Sequence, residues 1–437
     1  VRALRAIAVP LLLAASVAAA QTAPTKPAPA PGAAPPAKPG QEKPAAPKPQ
    51  PLPGEPLCGF CHTTGRVPFN RDPQFLLEDE SGPTWKVDFC SEALESPNMG
   101  LDWMPCPHCK TPSLHDAAQK EWDEHKAAGD AWLKEERRVD KVVAADKPLT
   151  FVQTTHFLIV WDVPKITTAQ KKTYDAHAAA HLYAHRLEDF YARFQTMFGI
   201  TDANNMKNLH TLMLFDKHDE AWLAGPTYTM LQGVPTVKRA GGANHDSTVV
   251  TFWDKSEFPK EVDMWRHQLH NWTHQLTAIY YDMSWFEPGK LGLSPPWLND
   301  KYGWLDEGLA HWFEIDFDNR AKTYCMRETA TESHWGGDDW KKNLYKAVSG
   351  EDVPSFSDVS IKPSDGLSAK ENQFAWSWVD FLMHKDQAAM GRALKDCKLE
   401  HPTRDILKEE WGLTVLDFQS SWKQWVLENY APQPVKK

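Results

Sequence analysis

Three stretches of this chain carry residue types at spacings that do chemistry. The first is Arg266-His267-Gln268-Leu269-His270-Asn271-Trp272-Thr273-His274-Gln275-Leu276. Positions four apart on a helix lie on one face, one turn above the other, so His270 and His274 offer two imidazoles to a single point. His267, three residues before His270, shares that face and is a further candidate ligand. Three histidines on one stripe are costly to bury unless an ion takes their lone pairs. The second stretch is Trp304-Leu305-Asp306-Glu307-Gly308-Leu309-Ala310-His311-Trp312-Phe313-Glu314. Glu307 places a carboxylate in an otherwise apolar helical segment, and a buried carboxylate needs a cation or a hydrogen-bond donor. Glu307 is therefore the natural third ligand of a zinc site made by two histidines and one glutamate, with an open fourth position. His311, four residues on, shares the Glu307 face and is a candidate for reaching the site, whereas Asp306 is expected to point to another face.

The third stretch is cysteine-rich. Cys58-Gly-Phe-Cys61 and Cys106-Pro-His-Cys109 are two C-x-x-C pairs separated by a loop, the spacing of a four-thiolate structural zinc ribbon. Gly59, Gly65 and Pro107 suit the tight turns of such knuckles. Two other readings compete. Cys58-Gly-Phe-Cys61-His62 also fits the C-x-x-C-H attachment motif of c-type haem, although that leaves the second pair unexplained. Disulfides are the other, since an exported chain permits them. Cys90, Cys325 and Cys397 remain, and the last two could pair across the main domain.

A small sheet followed by helices is expected. Phe151–Val163, Thr211–Phe215 and Ser247–Trp253 have strand character. Helices are predicted from about Thr168 to Phe198 and Val262 to Tyr281, then over Gly303–Phe317, Trp340–Val348, Gln373–His384 and Val415–Asn429. This is an α+β arrangement, a small mixed sheet leading into a mainly helical part, with a small cysteine module in front.

The paired segments resemble the gluzincin (thermolysin-like) metallopeptidases, especially the bacterial peptidase-MA-like domain. In that group one helix carries H-E-x-x-H, often followed by Q-L, and a second carries W-L-x-E-G-x-A, whose Glu is the third zinc ligand. His270-Asn-Trp-Thr-His274-Gln275-Leu276 and Trp304-Leu-Asp-Glu307-Gly-Leu-Ala310 match these, and Gln373–Leu382 and Trp411–Val426 look like later helices of the domain. The resemblance spans roughly residues 150–430 and implies zinc held by His270, His274 and Glu307. One position departs from it. Asn271 stands where the general-base Glu belongs, and an amide can orient water but cannot take its proton. Losing a general base costs on the order of 10²–10⁴ in rate. The implied protein is a degenerate zinc-binding metallopeptidase homologue acting in binding or assembly at the cell envelope; the alternatives are an active zinc hydrolase with His311 or His267 substituting as base, and a c-type haem or scaffold protein of the envelope. The segment Trp285–Tyr302, with Pro288, Pro295 and Pro296, reads as an insertion able to reshape the cleft.

Other features bound the function. The 437-residue chain has net charge -10 and no long basic run, which argues against a nucleic-acid partner. Its 20 Trp point first to a Trp-rich core and second to an aromatic cleft for peptide or glycan. His177, His181 and His185 form another four-spaced stripe, for which a metal or haem role competes with a solvated polar face; the latter is favoured because Arg186, Glu188 and Asp189 adjoin it. Gly225–Asn244 is rich in Gly and Pro and reads as a surface loop.

Residues 1–20 read as a secretory signal, with Arg2 and Arg5, an apolar stretch and Ala18-Ala19-Ala20. Residues 21–56 are a Pro/Ala-rich tether. The expected organisation continues with the cysteine module at 57–115, a charged helical linker at 116–147 and the main domain at 148–431. An exported, periplasmic or cell-envelope protein follows, with no transmembrane span after signal cleavage. Its expected partner is peptide, protein or envelope material.

Overall fold

The computed structural model describes residues 50–69, 87–96, 99–101, 103–143, 149–204, 209–217, 247–253, 255–256, 258–280, 301–321 and 339–432. The stretch read as a signal, the tether up to residue 49, the Gly225–Asn244 loop, residues 285–300 of the insertion, and Cys325 lie outside the described residues.

The fold is α+β, as expected, around a five-stranded mixed sheet. Two short strands flank the cysteine knuckles: β1 (Arg66–Pro68) pairs antiparallel with β3 (Trp103–Pro105). The main sheet runs β2 (Val87–Cys90), β4 (Thr150–Thr154), β5 (Phe157–Trp161), β8 (His210–Phe215) and β9 (Thr248–Phe252) in spatial order. β4 is antiparallel to both its neighbours, β2 and β5, and β5, β8 and β9 run parallel. β2 leads directly into a short helix, α1 (Ser91–Glu95). A small hairpin of β6 (Lys165–Thr167) and β7 (Thr173–Asp175) precedes the helix that crosses from β5 to β8.

The expected single strand 151–163 is in fact a tight hairpin, β4 turning into β5. The turn is stabilised from outside the sheet. Glu188 is fully buried and accepts from the Thr154 hydroxyl (2.6 Å) and the His156 N–H (2.9 Å), and its other oxygen meets His156 Nδ1 at 2.7 Å. That carboxylate satisfies backbone and side-chain donors a continuous strand would have paired sideways. Glu188 comes from α3 (Ala176–Phe198), whose N-cap Asp175 accepts from Ala178 N and whose end is closed by Gly199 in the left-handed region. The helix starts later than the expected Thr168 because β7 occupies residues 173–175.

Strand alternation sends the two faces of the sheet into different cores. Phe157, Ile159 and Trp161 face α3 and the helices beyond it, and Leu158, Val160, Met213 and Phe215 face the other side. The long helix α2 (Pro112–Val143) contributes to that second side: Leu133 is buried there, and Trp132 donates to Gln153 Oε1 at 2.9 Å and stacks on Phe89. This corrects the reading of residues 116–147 as a solvated spacer. The spacing of Trp132 and Leu133 in a charged helix marks a docked face.

The ligand-bearing helices lie in the larger core. α4 (Glu261–Ile279) and α5 (Gly303–Asp318) are buried almost all round, the signature of central rather than surface helices. They precede α6 (Trp340–Ser349), the single turn α7 (Phe356–Val359), α8 (Ala369–Lys385), α9 (Gln387–Lys398), α10 (Thr403–Trp411) and α11 (Val415–Asn429). Trp272, Trp340, Trp376, Trp378 and Trp422 are fully buried, which bears out the core reading of the tryptophans. Buried charge sets the position of α4 relative to its neighbours. Arg266 pairs with Asp263 on its own helix and with Asp318 at the end of α5. Glu261 takes Arg186 Nη1 at 2.5 Å and the Tyr183 hydroxyl at 3.0 Å from α3. Gly308 lets α5 and α8 meet: a Cβ there would come within 2.7 Å of both Ala375 O and Val379 Cγ2. Among the described residues, no helix is long and apolar enough to cross a membrane.

Two outcomes are expected. Gly308→Val should destabilise the chain by about 1–3 kcal/mol through overpacking, seen as a lower urea midpoint with an unchanged slope. The hydrogen bond that His156 donates to the Glu188 carboxylate raises His156 above its ordinary 6.5. Its contribution is thus complete below about pH 6.5 and is lost as pH climbs through the elevated native value. His156→Gln should remove that decline in urea midpoints measured from about pH 5 to about pH 9.

Candidate metal centres

α4 and α5 bring the three expected ligands together. His270 Nε2 and His274 Nε2 are 3.1 Å apart, and Glu307 Oε2 lies 3.6 Å from the first and 3.7 Å from the second. An ion bound tetrahedrally at about 2.0–2.1 Å sets its ligand atoms roughly 3.3 Å apart, so these edges match one face of such a site. His270 and Glu307 are buried, and His274 is the one of the three that reaches partly to solvent. Two imidazole acceptors and a carboxylate oxygen aimed at one point in a dry core repel one another unless a cation stands between them.

The far side of each imidazole is held by a carboxylate. Asp306 Oδ1 sits 2.9 Å from His274 Nδ1, and its other oxygen accepts from the Ser364 hydroxyl at 2.9 Å. Glu314 Oε2 lies 3.4 Å from His270 Nδ1 and 3.1 Å from His311 Nδ1. Carboxylates on Nδ1 fix the tautomer whose Nε2 lone pair is available for a metal, and they raise its basicity. Burial pushes His270 down to about 3. Burial also opposes charge on His274, but Asp306 and Glu307 outweigh it and hold that imidazole up at about 9. Against burial, hydrogen bonds from His270 and His311 hold Glu314 well below the usual carboxylate range.

The remaining candidates divide. His311 reaches the site, with Nε2 3.9 Å from Glu307 Oε2 and its ring 4.8 Å from that of His270, and it also packs edge-on to Trp340. His267 stands apart from the ligand group. Its Nε2 accepts from Asn271 Nδ2 at 2.9 Å, and its ring stacks on Phe258. Asn271 is therefore buried and engaged as a donor. Asp306 does leave α5 on a different face from Glu307, yet it still bonds His274, because α4 crosses close enough to be touched from both faces. Glu314 escaped the sequence reading, although its i+7 spacing from Glu307 and i+3 spacing from His311 put all three on one stripe.

The two C-x-x-C pairs form a second group, with the sulfurs of Cys58, Cys61, Cys106 and Cys109 all near one another. Cys61 Sγ and Cys109 Sγ are 3.8 Å apart, and all four are free thiols, so the disulfide alternative is not realised. The knuckles are shaped by backbone: Cys106 N donates to Gly65 O, and Gly65 has φ +73 and leaves no room for a Cβ against Leu114 O. Backbone N–H groups, that of Cys61 foremost, lower Cys58 to about 6, and burial raises Cys106 to about 11. His62 is exposed and lies outside the four-sulfur group. The donor sets of both centres are compatible with zinc.

Asp306→Asn should weaken metal retention at the His270–His274–Glu307 centre by about 10–100-fold while leaving the helical circular dichroism unchanged, as measured by competition with a chromogenic chelator. No protein-family model matches this chain, and no curated protein matches it significantly, so the case for these centres rests on their geometry.

Proposed function

We propose that the chain is an exported, degenerate gluzincin-like protein that holds zinc through His270, His274 and Glu307 and uses the cleft for binding rather than hydrolysis. The carrying observation is the convergence of those three donors, each imidazole backed by a carboxylate, while Asn271 stands at the neighbouring helix position. Zinc there supplies Lewis acidity and, in hydrolases, an activated water. His270, His274 and Glu307 bind it, and Asp306 and Glu314 orient the imidazoles. What this chain lacks is a proton acceptor on the helix turn between the two histidines. The Asn271 amide is not basic, and its N–H is spent on His267. Glu314 is no substitute, because its oxygens are turned to the Nδ1 side of His270 and His311. A four-thiolate zinc at Cys58, Cys61, Cys106 and Cys109 has a structural role in this reading, and peptide, protein or cell-envelope material is the bound partner.

The test pairs metal analysis with turnover. His270→Ala should lose one zinc relative to the unaltered chain, and a broad peptide panel should show no cleavage by the unaltered protein. Asn271→Glu should raise cleavage by about 10²-fold or more, the usual worth of a general base. Cleavage by the unaltered chain that His270→Ala abolishes would instead establish an active hydrolase with a substituted base. An unchanged zinc count in His270→Ala would remove the metal reading of the main site.

A further inference from the structure

The histidine stripe on α3 is not a solvated face. His177, His181 and His185 are 9%, 1% and 7% exposed, because α3 lies between the sheet and the helical core. Two of the three meet a cysteine that the sequence left unassigned. Cys90, 2% exposed at the end of β2, has its Sγ 3.0 Å from His177 Nε2 and 3.4 Å from His181 Nε2. The two imidazole rings are 4.7 Å apart.

We propose that Cys90, His177 and His181 form a further metal site, a set of one thiolate and two imidazoles for a borderline-soft transition ion of the zinc class. A tetrahedral ion with bonds of about 2.3 Å to sulfur and about 2.0–2.1 Å to nitrogen sets S and N roughly 3.5 Å apart, matching the 3.4 Å to His181 and asking the sulfur and His177 to part slightly from 3.0 Å. Helical i, i+4 spacing places the two nitrogens on one side, and the register of β2 against β4, with Cys90 opposite Val152, brings the sulfur to them. Binding is a proton-for-metal exchange: the Cys90 S–H bond breaks, its proton leaves to solvent, both imidazoles bind neutral through Nε2, and no redox change occurs. One thiolate and a dication leave net positive charge, and Glu92 Oε2, 3.4 Å from Cys90 Sγ, lies where it offsets that charge.

A nucleophilic Cys-His pair is the other chemistry these residues suggest. The burial of the sulfur argues against it, since a substrate has no approach and the apolar surroundings push the thiol up, away from thiolate. A structural ion fits the location better. It would tie β2, which enters from the cysteine-rich region, to α3 of the main body, independently of the His270 centre.

Anomalous scattering at the zinc edge, from crystals of the unaltered chain grown with zinc and washed in metal-free buffer, should give a peak between Cys90 Sγ and the two Nε2 atoms. Native mass spectrometry of Cys90→Ser and of His177→Gln should each show one zinc fewer than the unaltered chain, with the zinc lost in His270→Ala retained. A flat map at this cluster overturns the proposal whatever the other centres hold. So does an unchanged zinc count in either variant if it folds. If neither variant folds, the map of the unaltered chain decides alone.

Discussion

The constraint that organises the main body is the burial of ionisable side chains between two helices that are themselves buried. His270, Glu307, His311 and Glu314 are essentially out of water, and His274 and Asp306 nearly so. Isolated, each would carry a desolvation cost of several kcal/mol. Together they form layers: Asp306 and Glu314 lie behind the imidazoles, whose Nε2 atoms meet Glu307 in a group able to hold a metal ion. Such an arrangement is compatible with a metal ion at its centre.

The surrounding structure sets the separation of those helices with few adjustable parts. Arg266 ties α4 to the end of α5, Glu261 ties the start of α4 to α3, and Gly308 brings α5 against α8. Breaking a buried charged pair typically costs about 3–5 kcal/mol, so these ties resist shear between the ligand helices. The aromatic packing of Trp340 against His311 and Trp376 fills the remaining space behind the imidazoles. Rigid backing of this kind suits a centre whose ligands must stay within a few tenths of an ångström of one geometry.

Among the described residues, the cysteine knuckles have little hydrophobic packing of their own. The knuckle region has an apolar cluster of little beyond Cys58, Cys61, Cys106 and Val67, far too small to hold a fold. Its attachments to the rest run through α2, by Arg66 over Trp103 and paired with Glu121, and by Glu55 capping the helix at Ser113. The sheet-edge strand β2 is short and irregular in register, and it is there that Cys90, part of the main core, meets α3.

Much of this is legible in the residues themselves. Period and spacing locate α4, α5 and α11 to within a residue or two, pair His270 with His274, and identify Glu307 and the four-cysteine set, because those signals are local and a helix repeats them rigidly. The hairpin at Thr154–Phe157, the docked face of α2 and the helix boundary at Asp175 are not, since each is decided by a contact with another element: Glu188, the sheet, and β6. The same holds for the site. Helical geometry alone turns Asp306 away from the ligands, says nothing of what Asn271 meets and gives Cys90 no role. Sequence determines which side chains share a helix face. Only the crossing of α4 with α5, and of β2 with α3, determines which faces meet, and for buried charge and soft ligands that meeting is where the chemistry is chosen.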